Sequence, residues 1–237
     1  MTRRLLLALL AIVALALASC GEDEGGESAS SEEAAESTES VPTAPPSGSG
    51  ADAPGGCRQV EPPQPKPDGG AQKPKDDLDP GKTYRLTVKT NCGDFTIDLD
   101  QKAAPKTAAS VVSLAEQDFY DGTIFHRIVP GFVIQGGDPT GTGMGGPGYS
   151  TVDKPPADAR YTKGVVAMAK TATEAPGTSG SQFYVVTGED AGLPPEYAVI
   201  GSVKDGLDVV EQIGALGGPD ETPTQTVLIE DVTVQSS

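Results

Sequence analysis

From Thr83 to Thr90 the chain alternates, Tyr84, Leu86 and Val88 against Arg85, Thr87 and Lys89. After Asn91-Cys92-Gly93 the alternation resumes through Phe95, Ile97 and Leu99, which predicts a β-hairpin with one buried face. Ala104-Pro105-Lys106-Thr107 then opens a helical pattern through Val111, Val112, Leu114 and Ala115, with proline in the first turn, where its missing N–H costs nothing. Two short apolar runs follow, Phe125–Val129 and Phe132–Gln135, split by Pro130-Gly131: a strand, a tight bend and a strand. Strict alternation places Phe132 and Ile134 on one face of the second run and Val133 and Gln135 on the other. Further strands are predicted over Gly164–Ala169, Ser181–Thr187, Tyr197–Val203 and Thr226–Val234, with a helix over Asp205–Leu216 carrying Leu207, Val209, Val210 and Ile213 inward. About eight short strands and two helices, with no internal repeat, favour a closed barrel, which leaves no sheet edge exposed.

The first third of the chain reads differently. Thr2-Arg3-Arg4 followed by the apolar run Leu5–Ala18 predicts a signal peptide over residues 1–19, too short for a comfortable membrane span. It ends Leu17-Ala18-Ser19-Cys20-Gly21, which resembles a bacterial lipobox. On that reading Cys20 carries lipid, and the protein is exported and anchored at the extracytoplasmic face of the cell membrane. The alternative is a plain secretory peptide with an incidental cysteine. Residues 20–56 are mostly Glu, Ser, Gly, Ala and Pro, cannot bury enough apolar surface to offset their ordering entropy, and are expected to be a disordered acidic tether. A proline-rich arm, 57–82, leads to the domain proper, 83–237. The net charge of −17 argues against nucleic acid as a partner.

Cys57 and Cys92 remain after lipidation, and an even remainder in an exported chain points to a disulfide pinning the arm to the first hairpin. Two free thiols are the other reading. One histidine and no CxxC leave no metal-ligand cluster. Pro139–Gly148, five of whose ten residues are glycine, lacks the GK[ST] ending of a phosphate cradle and reads as a surface loop. Arg127 is the only charge between Asp121 and Asp138, set among residues that usually lie inside. A guanidinium there is costly unless paired, and snorkelling to solvent is the plain alternative.

Phe125-His126-Arg127-Ile128-Val129-Pro130-Gly131-Phe132, Gln135-Gly136-Gly137-Asp138 and Gly180-Ser181-Gln182-Phe183-Tyr184, with Gly164–Met168 and Gly201-Ser202-Val203 in matching order, resemble the cyclophilins, the cyclosporin-type peptidyl-prolyl isomerases. The resemblance covers residues 82–236 and implies an eight-stranded antiparallel barrel capped by two α-helices, with the active groove on its outside. It implies a catalytic role for Arg127, with Phe132 and Gln135, and substrate-binding roles for Val133, Ala169, Lys170, Gln182, Tyr184, Leu193 and Tyr197. Lys170 stands where eukaryotic members commonly have Asn, and Tyr197 where a groove His is common. No Trp lies near Gly192, or anywhere in the chain, which weakens the expectation of tight cyclosporin binding. His126 is expected to be a packed, hydrogen-bonded core residue rather than a base.

The implied reaction is rotation about X–Pro bonds in polypeptide substrates, carried out by a monomer without cofactor or metal. It breaks amide resonance but forms no bond, so no nucleophile or proton shuttle is needed. A donor aimed at the prolyl nitrogen or carbonyl binds the twisted transition state better than either planar ground state. The rival readings are a cyclophilin-fold binding or chaperone module of low turnover, and a surface lipoprotein in which the acidic tether and glycine loop mediate adhesion.

Overall fold

The structure is a computed structural model and describes residues 56–237. The expected signal peptide, Cys20 and all but the last residue of the expected tether lie outside the described residues. Eight strands close into an antiparallel barrel: β1 (Tyr84–Thr90), β2 (Gly93–Leu99), β3 (Thr123–Val129), β4 (Val133–Asp138), β6 (Val165–Met168), β8 (Phe183–Val186), β9 (Val199–Asp205) and β10 (Leu228–Ser236). Their order around the ring is β1-β10-β3-β4-β8-β6-β9-β2. Two helices, α1 (Pro105–Ala115) and α2 (Leu207–Gly214), add Val111, Leu114, Val210 and Ile213 to the same buried core.

That core is filled. Phe183 meets Tyr120 and Phe125 edge-on at 5.8 and 5.9 Å between ring centres, the arrangement that suits aromatic quadrupoles. The void among Leu86, Val88, Ile97 and their neighbours holds only ≈ 10 Å³, so no ligand enters the barrel. Any site must lie on its outer surface.

Two features departed from the sequence reading. A two-stranded sheet, β5 (Thr151–Val152) with β7 (Thr178–Ser179), lies apart from the ring. Its strands are two residues each, with no alternation to betray them. The ninth strand runs to Asp205 rather than Val203, because Thr96 pairs with Asp205 across a register shift. Gly206, in the left-handed region at φ 78°, then turns the chain into α2. The N-terminus of α1 is capped from outside, Asp153 accepting the Thr107 N–H at 2.6 Å.

The arm over residues 57–82 has no regular structure of its own and lies against the barrel. A disulfide joins Cys57 to Cys92, and Arg58 pairs with Glu230. Lys66 donates to the carbonyls of Asp118, Phe119 and Asp121 at 2.8–3.0 Å, a cation held at the carboxyl end of α1. The next residues are stitched to the glycine-rich loop: Gly69 N–H to Gly146 O (2.9 Å), Ala71 N–H to Pro147 O (3.2 Å), and Gly146 N–H to the Asp68 carboxylate (2.9 Å).

Candidate active site

One register row crosses four strands of the barrel wall. Arg127 of β3 stands opposite Gln135 of β4, Gln135 opposite Tyr184 of β8, and Tyr184 opposite Ala167 of β6. Directly paired residues share a face, so these side chains meet on the outside of the barrel. Strict alternation would have put Arg127 on the face of Phe125, which is fully buried in the core. A β-bulge prevents this. Phe125 pairs with Gly136 and Arg127 with the very next residue, Gln135, which leaves His126 as the extra residue. The bulge reverses the phase, so that Arg127 faces out while Phe125 and Ile128 both face in.

Gly136 and Gly137 let the strands approach this closely. A Cβ on Gly137, whose φ is 81°, would stand 2.7 Å from the Ser181 carbonyl. That close passage brings the start of β8, and Gln182 before it, beside β4.

The groove has a volume of ≈ 290 Å³ and is lined by Arg127, Phe132, Val133, Gln135, Ala169, Lys170, Tyr184, Leu193 and Tyr197. These are nine of the ten groove residues expected from the sequence. The tenth, Gln182, lines the adjoining depression of ≈ 330 Å³ with Gln135, Ala169, Lys170 and the glycine-rich loop. A polar chain runs through both. Arg127 Nη1 points to Gln135 Oε1 at 3.4 Å, Gln135 Nε2 donates to Gln182 Oε1 at 3.0 Å, and Gln182 Nε2 donates to Gly145 O at 2.9 Å. On its other edge Arg127 Nε donates to Glu221 Oε2 at 2.6 Å.

The apolar wall is a second cluster, distinct from the barrel core: Val133, Tyr161, Ala167, Tyr184 and Val186, with Phe132, Leu193 and Tyr197 packed against it. Phe132 thus shares the face of Val133, not that of Ile134. It belongs to the turn, and alternation starts only with the strand at Val133. The Arg127 guanidinium lies 6.0 Å from the centre of the Phe132 ring. Burial pushes the Tyr184 phenol above its ordinary range, so it stays neutral. The side chain of Lys170 is only 3 % exposed. Its ammonium sits 3.0 Å from Glu196 and over the Tyr197 ring, which leaves the backbone to face the groove.

Sequence reasoning missed Tyr161 and Glu221. Tyr161 is a buried pillar behind the wall, its hydroxyl donating to Tyr197 O at 2.8 Å and accepting the Tyr197 N–H at 3.0 Å. A lone aromatic between Arg160 and Thr162 was the only sign of it. Glu221 sits in a loop of Gly, Pro and acids that reads as solvated surface.

His126 is packed as expected, with both ring nitrogens buried, and its contact with the Ile124 backbone falls short of full hydrogen-bond geometry. The bulge explains this, since the ring lies beside Gly143 while the nearby Asp138 carboxylate is taken by Thr140 and Gly143. Burial pushes the imidazole below its usual range, opposed by Asp138 and reinforced by Arg127. The unfolded chain therefore binds the proton first as pH falls through the ordinary histidine range, and folded stability declines with it. This is the chain's one histidine, so His126→Phe is expected to flatten the loss of Tm between about pH 7.5 and about pH 5.5 while leaving folding at neutral pH intact. An equal Tm loss in both proteins would refute this.

The family model described as "Cyclophilin type peptidyl-prolyl cis-trans isomerase/CLD" matches residues 85–234. The peptidyl-prolyl cis-trans isomerase A of Mycobacterium tuberculosis is 41% identical over an alignment of 175 residues that covers 65% of this chain and 94% of that protein. The mouse peptidyl-prolyl cis-trans isomerase-like 3 is 35% identical over 158 residues, 64% of this chain and 96% of that one. Among solved structures, the cyclophilin-type isomerase of Cryptosporidium parvum is 30% identical, with a TM-score of 0.60 over 65% of this chain and 99% of that chain. It has also been crystallised in the presence of the dipeptide Ala-Pro. With the barrel, the groove on its outer wall and these matches in agreement, the chain belongs to the cyclophilin-type peptidyl-prolyl cis-trans isomerases.

Proposed function

We propose that this isomerase acts on X–Pro bonds of exported polypeptides at the extracytoplasmic face of the membrane, held there by lipid on Cys20. The observation that carries the site assignment is the guanidinium of Arg127, held on two edges above an apolar wall. On this reading Phe132, Val133, Tyr184 and Leu193 clamp the pyrrolidine ring and keep water off. Gln135, Gln182 and the backbone at Ala169 and Lys170 hold one side of the bond, with Tyr197 closing the far rim, and Arg127 donates to the prolyl nitrogen or carbonyl as the amide twists. Uncatalysed rotation faces a barrier of roughly 20 kcal/mol. A thousandfold to hundred-thousandfold acceleration asks for about 4–7 kcal/mol. One charged hydrogen bond in a dry groove supplies roughly 1.5–3 kcal/mol, and desolvation and positioning supply the rest.

The localisation rests on the leader and lipobox pattern of the sequence, and the monomeric state and spacer role of the tether are part of the same proposal. Residues 57–237, expressed without leader and tether, are expected to be a soluble monomer that turns over proline peptides in a protease-coupled assay. Activity confined to the full lipidated protein would overturn the spacer role. Stoichiometric peptide binding without turnover would instead favour a holdase.

A further inference from the structure

Arg127 has one strong protein contact, and it is not with Gln135. The Gln135 contact, at 3.4 Å, is long, whereas Nε meets Glu221 at 2.6 Å. The Arg127 side chain is 34 % exposed and would sweep a wide arc if held by Gln135 alone. Glu221 comes from the loop between α2 and β10, outside the groove lining. Two observations set it apart from a passing surface pair. Its backbone occupies the left-handed region, φ 65°, where glycine is least strained and a side chain is penalised. Its carbonyl also accepts the N–H of Ile128 at 2.8 Å, so the loop is stitched to the strand residue next to Arg127. Hydrogen bonds from Gly218 N–H to Thr222 O (2.7 Å) and from Thr224 N–H to Leu216 O (2.8 Å) close the loop behind it.

We propose that Glu221 is a positioning residue for Arg127. By taking the Nε–H it fixes the plane of the guanidinium and turns the Nη edge to the groove, beside Phe132. The carboxylate stands on the edge away from the reacting amide. This rests on the assignment of Arg127 to the reaction.

The test uses the full-length protein and a proline peptide, with kcat and KM measured separately. Glu221→Gly removes carboxylate and left-handed strain together, so folding is not in question and Tm is expected to hold or rise. Its kcat is expected to fall about three- to tenfold with KM changed less than about twofold, the mark of an interaction expressed in the transition state. Glu221→Gln keeps an oxygen that can accept the Nε–H and should recover at least about half of the loss. In ¹H–¹⁵N spectra the Arg127 Nε–H signal, identified by its absence in Arg127→Lys, should lose its protection from exchange in Glu221→Gly and keep it in Glu221→Gln. In an Arg127→Ala background, Glu221→Gly should cost nothing further. An inactive Arg127→Ala beside a Glu221→Gly variant as fast as wild type, or faster, would overturn the positioning role alone. A fully active Arg127→Ala would instead remove the assignment on which it rests.

Discussion

Arg127→Lys is expected to fail as completely as Arg127→Ala, each losing at least about tenfold in kcat/KM, a transition-state loss above ~1.4 kcal/mol. Charge alone does not meet the geometric demand. The guanidinium is planar, spends Nε on Glu221, directs Nη1 toward Gln135 and has a further nitrogen for the substrate. An ammonium on a flexible stem cannot reproduce that division. Both variants should fold normally, since Arg127 lies on the outer wall and contributes nothing to the core cluster. Stopped-flow or protease-coupled rates with matched Tm values decide the matter. A lysine variant at wild-type rate would show that a point charge is enough and that the directed fork is irrelevant.

The second large effect is on stability. Cys57 and Cys92 are separated by 35 residues, and closing a loop of that size removes enough chain entropy from the unfolded state to contribute about 3–4 kcal/mol. The arm is also held by Lys66, Gly69 and Ala71, but those contacts exist only in the folded state and do not restrict the unfolded one. Replacing both cysteines by serine is expected to lower Tm by roughly 6–16 °C while leaving kcat/KM at 25 °C within about twofold, neither cysteine lining the groove. Intact-mass analysis of the protein isolated from an oxidising compartment, alkylated before reduction, should find neither thiol modified. Two alkylated cysteines would show that the arm is held by its hydrogen bonds alone.

Most of the barrel could be read from alternation. Leu86, Val88, Phe95 and Ile97 occupy the buried face that their spacing predicts. The groove residues were legible because Arg127, Gln135 and Tyr184 belong to motifs whose order is distinctive. What stayed hidden was whatever alternation and motif do not encode. The bulge at His126 adds a residue without changing the composition, so Arg127 appeared to lie among core positions. Phe132 was assigned to the wrong face because a turn residue has no strand phase. Tyr161 and Glu221 reach the site through tertiary contacts from loops, where neither period nor propensity applies. The path of the arm over the glycine-rich loop is set by two backbone hydrogen bonds, the Asp68 carboxylate and the close approach of Gly69 to Gly148, none of which has a period to read.

His126 also bears on how this site can change over time. Its side chain has only a weak contact with the Ile124 backbone, so the position can accept other residues of similar bulk. Its presence as a counted link is another matter. A regular strand that kept His126 would turn a guanidinium into an interior whose void is only ≈ 10 Å³ and swing Ile128 out to solvent, whereas a strand shorter by that one residue would keep Phe125 in, Arg127 out and Ile128 in. Losing the extra residue therefore leaves its neighbours on their faces, while straightening the strand at full length does not. At this length, the groove surface and the barrel core stay in step through the kink in the backbone rather than through the side chain that fills it.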